Sequence, residues 1–500
     1  MLIPNPNSNF QFPNPNSFVS NKGVYKWSAI DRVLNSAMTF TGNVVLARLL
    51  DPSDFGLVAM VAIFTAIAQN LSSCGMSDGL IHKHNPTDRD YSTVFVFNAA
   101  FGLFFCLLFI ALGMPLAKFF ARPQISSIMS VLGVCFLFQT LCFVQETRMR
   151  KNLDMKHMAI VHLLSTASAV TLGIIVAING GEYWALVISQ SGLSIFTFIY
   201  FMLISRWIPR IAFYKKSFHE LFGYGVHLMI AFIINMISRN INSSVIGKYV
   251  TPVAAGLYSQ AQKLQDVPFA IIESVFNWAF FAVLSNEQDK NARLNLVSEM
   301  NVRLWTINIT ISLLLLLISW PAFNFLYGAK WDGAIPIFQL LLVFGLATAM
   351  KSFYQTVFKA YGKVKIVKNL TFIETAIQLI LLVIFLNSGV IVITMTLIIA
   401  VVFILLCHVI YYCKLLDIRP IVVIKAFWDA LIVPLIAFGI SWGIRYKFLS
   451  ASTPFLQCLL LIIIFSIIFL ISCWLIKPPY YQIVNQLIYS KFRLINASNK

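Results

Sequence analysis

Apolar runs of about 20 residues recur along this chain from residue 28 to residue 475, and a helix of that length crosses a hydrocarbon core of roughly 30 Å. Runs of this kind leave few options. In lipid the backbone must satisfy its own hydrogen bonds, so each run is read as a helix, and each is too long for a barrel strand. Composition agrees: 59% of the 500 residues are hydrophobic, 11% are charged, and the mean hydropathy is +0.80. Soluble domains carry about 25% charged residues. The expected fold class is an all-α polytopic membrane protein with about 14 transmembrane helices, the first at 28–48 and the last at 454–475.

Two short stretches suggest how those helices are organised. LARLLDPSDFGLVAM places Pro52 and Gly56 after the first span, and VIGKYVTPVAAGLYS places Pro252 and Gly256, at the same separation, after the seventh. Pro suits the first turn of a helix, and Gly permits close helix contact. A second echo joins QETRMRKN (Gln145–Asn152) to QTVFKAYG (Gln355–Gly362). The reading is two six-helix lobes inserted in the same orientation, a parallel repeat of the kind that rocks about a central site. Its boundaries are a disordered tail at 1–22, an N-terminal lobe at 23–205, a cytoplasmic linker at 206–220, a second lobe at 221–415, two further helices at 416–477 and a tail at 478–500. The first tail is rich in Pro, Asn and Ser and has no signal-peptide pattern.

The net charge of +18 is mainly topological. Most Lys and Arg, among them Arg148, Arg150, Lys151, Lys215, Lys216, Lys363 and Lys365, fall in loops on one side, which places both termini in the cytoplasm by the positive-inside rule. The excess therefore does not point to nucleic acid. The eight Cys are scattered without a disulfide or zinc pattern, and the seven His show no metal spacing apart from the loop pair His82/His84. There is no Walker loop, His-Glu-x-x-His or Gly-x-Ser-x-Gly, and no outer loop long enough to form a catalytic domain. The sequence reads as a transporter and not as an enzyme, without a cofactor.

Ionisable residues inside spans are costly and mark functional paths. Asp31 and Arg32 lie about one turn into the first span, where they either pair at the inner face or line a path. Arg239 sits in the polar second half of the seventh span with Asn235, Ser238, Asn242 and Ser243. The eighth span carries Tyr258, Gln262, Gln265/Asp266, Phe269 and Glu273 at helical steps, with Lys263 three residues from Asp266 and Pro268 expected to bend or break the helix. Lys351 and Glu374 complete the set, Glu374 with Lys368 as one possible partner. The cations Arg32, Arg239, Lys263 and Lys351 point to an anion-binding cavity, with Gln262 and Tyr258 as further lining residues. Asp31, Asp266, Glu273 and Glu374 are candidates for H⁺ or Na⁺ coupling.

NVVLARLLDPSDFGLVAM, LSSCGMSDGLI, QETRMRKNLDMK and GLYSQAQKLQDVP resemble the polysaccharide transporter family, in particular its WzxC-like members, within the multidrug/oligosaccharidyl-lipid/polysaccharide superfamily. The resemblance runs over roughly residues 20–480. It implies two six-helix lobes around a cationic cavity, in the fold shared with MATE transporters. It also implies a flippase that moves undecaprenyl-diphosphate-linked oligosaccharide (an O-antigen, capsule or exopolysaccharide repeat) from the inner to the outer leaflet of the bacterial cytoplasmic membrane. By similarity Arg32 and Arg239 lie near the lipid pyrophosphate. Membrane lipids and the polysaccharide polymerase machinery are the expected partners. The alternative is a cation-coupled multidrug antiporter of the same superfamily, which would favour a carboxylate-lined cavity.

Overall fold

The structure is a computed structural model that describes residues 22–72, 76–83, 85–205, 211–219, 239–449 and 452–478. Among the described residues every long element is a helix and no strand occurs. In chain order they are α1 (Lys22–Leu49), α2 (Pro52–Ser72), α3 (Met76–His82), α4 (Asp88–Phe120), α5 (Gln124–Lys151), α6 (Met155–Ile178) and α7 (Tyr183–Ser205). A helical stretch at 239–249, α8, is followed by α9 (Pro252–Asn286), α10 (Lys290–Leu326), α11 (Ile335–Ala360) and α12 (Val364–Ile384). The last three are α13 (Val390–Leu416), α14 (Pro420–Ile444) and α15 (Pro454–Ile476). Among the described residues, 10 candidate spans are long and apolar enough to cross a membrane, so the chain is a multi-pass integral membrane protein. Helix α2 is apolar over Pro52–Ala66, and α1 owes its low mean hydropathy to Lys22, Lys26, Asp31, Arg32 and Arg48. Most of the seventh expected span, with Asn235 and Ser238, lies outside the described residues.

Helix ends follow local chemistry. Thr251 accepts a hydrogen bond from the Ala254 N–H and is followed by Pro252 at the first helical position of α9, an N-cap arrangement that satisfies one orphan donor. Asp289 caps α10 in the same way through Ala292 N. At α4, the Thr87 N–H donates to Asp90 Oδ2 at 2.8 Å, closing one half of a capping box. Helix α9 runs unbroken through Pro268. Of the expected bend or break, the break does not form, and the helix continues past a position that has lost one ladder bond.

The chain divides into two compact units, Met1–Leu50 with Val61–Asn240, and Asp51–Met60 with Ile241–Lys500. In the first, α4 packs on α5, α5 on α7, α6 on α7 and α1 on α6. In the second, α10 packs on α11, α11 on α13 and α12 on α13. The first three pairings of the first unit therefore recur in the second, six spans further along the chain. Helices α14 and α15 pack on α10 through Leu317, Ile318, Ala437, Leu461 and Phe465.

The assignment of Asp51–Met60 to the second unit has a specific cause. A Cβ added to Gly56 would lie 1.7 Å from the Pro252 carbonyl oxygen, and one added to Gly256 would lie 1.8 Å from that of Pro52. The two Pro-x-x-x-Gly turns cross each other reciprocally, and only glycine lets the backbones approach so closely. Phe55 then meets Trp331 edge-on at 5.2 Å, and Ser244 Oγ donates to the Met60 carbonyl at 2.8 Å.

Candidate functional site

In the first unit the expected residue Asp31 sits in a polar cluster between α1 and α6. Asp31 and Asn35 are one turn apart on α1, and His162 and Thr166 are one turn apart on α6, so the two helices present matching rungs. His162 Nδ1 lies 3.1 Å from Asp31 Oδ2. Asn35 Nδ2 donates to Asp31 Oδ1, and Thr166 Oγ1 donates to Asn35 Oδ1 at 2.7 Å. The carboxylate is 16% exposed and the imidazole 24%, with the buried Phe201 ring edge-on to the imidazole at 6.1 Å. Asp31 thus has a partner other than its neighbour Arg32, which is exposed. Arg239, the first described residue of α8, is also exposed.

In the second unit the charges have different fates. Lys351 Nζ lies 2.6 Å from Glu374 Oε1, and each side chain is 13% exposed, so Glu374 pairs with Lys351 across α11 and α12. The next residue, Ser352, donates its hydroxyl to Glu273 on α9. Consecutive residues of α11 therefore reach two acids on two different helices. Lys263 extends over the Phe55 ring, its Nζ 5.7 Å from the centroid, a cation–π contact.

The expected stripe on α9 splits into two faces. Tyr258, Gln265 and Phe269 are buried. A Cβ on Gly345 of α11 would meet Gln265 Nε2 at 2.3 Å and Phe269 at 2.7 Å, so this face is packed against α11. Gln262 and Asp266 are half-buried, and Lys263 and Glu273 are exposed. Tyr258 is 1% exposed and belongs to the packed face. Among the described residues no group of three or more His, Cys, Asp or Glu is placed to hold a metal ion.

His162, Asn35 and Thr166 do not stand out in the sequence alone. The available signal is a polar pair at i and i+4 in each of two helices, Asp-x-x-x-Asn in the first span and His-x-x-x-Thr in the fifth.

Comparison with known proteins adds identity to this geometry. The model of a family described as polysaccharide biosynthesis protein matches residues 45–336. The chain belongs to that family. Its relatives include the lipopolysaccharide biosynthesis protein WzxC of Escherichia coli (strain K12), 25% identical over 64% of this chain and 66% of that protein. Another is the teichuronic acid biosynthesis protein TuaB of Bacillus subtilis (strain 168), 22% identical over 68% of this chain and 71% of that one. The matched segments span about two thirds of these relatives' length. The fold extends further. A solved structure of the lipid II flippase MurJ in an inward closed conformation matches with a TM-score of 0.71 at 16% identity, over 92% of this chain and 99% of that one. An inward-facing multidrug resistance MATE family transporter of the MOP superfamily matches with a TM-score of 0.58 at 13% identity, over 79% and 99%. The family therefore has here the helical fold shared by MurJ and MATE transporters.

Proposed function

We propose that this protein is a flippase that carries undecaprenyl-diphosphate-linked oligosaccharide from the cytoplasmic to the outer leaflet of a bacterial inner membrane by alternating access. The observation that carries the reading is the conjunction of a polysaccharide-biosynthesis sequence family with a fold that covers 99% of the MurJ chain. Both termini are cytoplasmic in this reading, 14 spans cross the bilayer, and polysaccharide polymerase machinery receives the product.

In the proposed mechanism Arg32 and Arg239 hold the pyrophosphate, because a guanidinium offers a planar fork of donors to phosphate oxygens. Their exposure supports this role. Lys263 supplies a further cation, and Gln262 hydrogen-bonds sugar. Lys351 has a different role, because its charge is matched by Glu374: it fixes α11 against α12. Asp266 and Glu273 remain candidates for ion coupling alongside Asp31. The multidrug antiporter alternative is the weaker reading, since the MATE match is looser and shorter and the named relatives serve polysaccharide synthesis.

The test is reconstitution in liposomes with a labelled undecaprenyl-diphosphate oligosaccharide and leaflet exchange as the readout. Exchange well above protein-free liposomes is expected, and Arg239→Ala should reduce it at least tenfold at equal protein incorporation. Exchange equal to that of empty liposomes, with and without imposed ion gradients, would sink the assignment.

A further inference from the structure

We propose that the Asp31–His162 pair is a proton-binding site, with His162 Nε2 as the atom that gains and loses the proton during transport. The coupling to transport rests on the flippase reading above; the site itself does not.

The hydrogen-bond directions lead to the atom. An ionised carboxylate only accepts, so His162 Nδ1 carries a hydrogen and donates it to Asp31 Oδ2. Asn35 presents its amide N–H to Oδ1, which requires its carbonyl to face Thr166, and Thr166 donates to it there. The chain of donors is therefore self-consistent from Thr166 to the carboxylate. With Nδ1 committed, the second ring nitrogen, Nε2, is where a further proton is held. When it binds, the pair becomes imidazolium–carboxylate and neutral overall; when it leaves, a neutral imidazole still holds a charged carboxylate through Nδ1–H.

The same geometry favours H⁺ over a metal cation. Na⁺ would need oxygen ligands, and both Asp31 oxygens already accept N–H groups. Histidine is the side chain that ordinarily changes charge between about pH 5 and pH 8, and Asp and His inside spans are the residues of proton relays. The other ionisable groups on packed elements have their own engagements. On α6, His157 bonds Asp154, and Lys156 is exposed. On α5, Arg150 bonds Glu146, Arg148 is half-buried and Cys142 is buried beside Phe201. On α7, Tyr200 bonds Ser168. On α1 itself, Lys26 and Arg32 are exposed.

The deciding experiment is ¹⁵N NMR of full-length, histidine-labelled protein in lipid nanodiscs, with His162 assigned by comparison with His162→Asn. At high pH the imidazole should be the neutral Nδ1–H tautomer, it should gain a second proton as the pH is lowered, and the tautomer preference should be lost in Asp31→Asn. A neutral Nε2–H tautomer, or a protonation state that does not respond to pH, would overturn the site. In liposomes, an imposed pH gradient should change the wild-type exchange rate at least threefold, and the ratio with and without the gradient should fall to about one in His162→Asn. An unchanged ratio in that variant, or gradient-independent exchange by wild type, overturns the coupling. Absence of any wild-type exchange would count against the flippase reading, while the NMR result would still decide the proton site.

Discussion

One acid–base pair from each unit ties two neighbouring helices together, and the two are built from different bases. Asp31 faces His162 between α1 and α6; Glu374 faces Lys351 between α11 and α12. Lysine ordinarily stays charged throughout the physiological range, so the second pair is an ordinary ion pair whose charges cancel. Histidine can lose its proton, so the first pair has two charge states. The comparison separates two uses of charge inside a membrane helix: one fastens, the other can be switched. Within the proposed mechanism it also separates the cations, because Lys351 is matched by Glu374 while Arg32 and Arg239 are exposed.

The largest effect should come from breaking the fastener. Lys351→Met leaves Glu374 nearly buried without its counter-charge, which typically costs about 3–5 kcal/mol. The thermal unfolding midpoint in detergent should fall sharply. The double variant Lys351→Met/Glu374→Leu should recover most of the loss, because it removes the orphaned charge as well. A single variant that melts like wild type would mean that the pair fastens nothing, and the contrast between the units would collapse.

How much of this was legible in the sequence depended on whether the signal was local. The apolar runs and the likeness of Pro52/Gly56 to Pro252/Gly256 could be read directly. That the two turns touch, each glycine against the other's proline carbonyl, could not, since nothing in a sequence of that length says which repeated elements meet. Asp31 stood out because a carboxylate in a span is rare. His162 did not, because a search for metal spacing looks along one helix and its partner lies 131 residues away. On α9 the helical period found the stripe but could not tell which of its polar residues are packed. Gln265 and Tyr258 proved to be core, with Gln265 held where Gly345 lets α11 approach.

Next in size is Asp31→Ala. It removes the acceptor for both His162 Nδ1–H and Asn35 Nδ2, and unsatisfied donors in a half-buried site cost about 1–3 kcal/mol. The loss should be smaller than for Lys351→Met because both donors retain some access to water. Equal losses would indicate that the first pair is as permanently charged as the second. His162→Lys sharpens the point by giving the first unit the base of the second. Stability should change by about 0.5–1.5 kcal/mol, while the response of exchange to a pH gradient should vanish. A retained response would move the proton site elsewhere.

The smallest effects serve as the control, since each unit also carries an acid–base pair on a single helix. Glu146 and Arg150 on α5, and Glu299 and Arg303 on α10, are both i,i+4 pairs with Glu on the N-terminal side, the better orientation for a helix. They differ from the two inter-helix pairs in exposure and in joining no second element. Arg150→Ala and Arg303→Ala should each cost about 0.3–0.5 kcal/mol, with midpoints nearly equal between the units. If either approached the cost of Lys351→Met, exposure would not be what separates weak pairs from strong ones here. If both stay small, the strength of the Lys351–Glu374 pair comes from its placement between helices, where water poorly replaces a missing partner, and the responsiveness of the Asp31–His162 pair comes from its histidine.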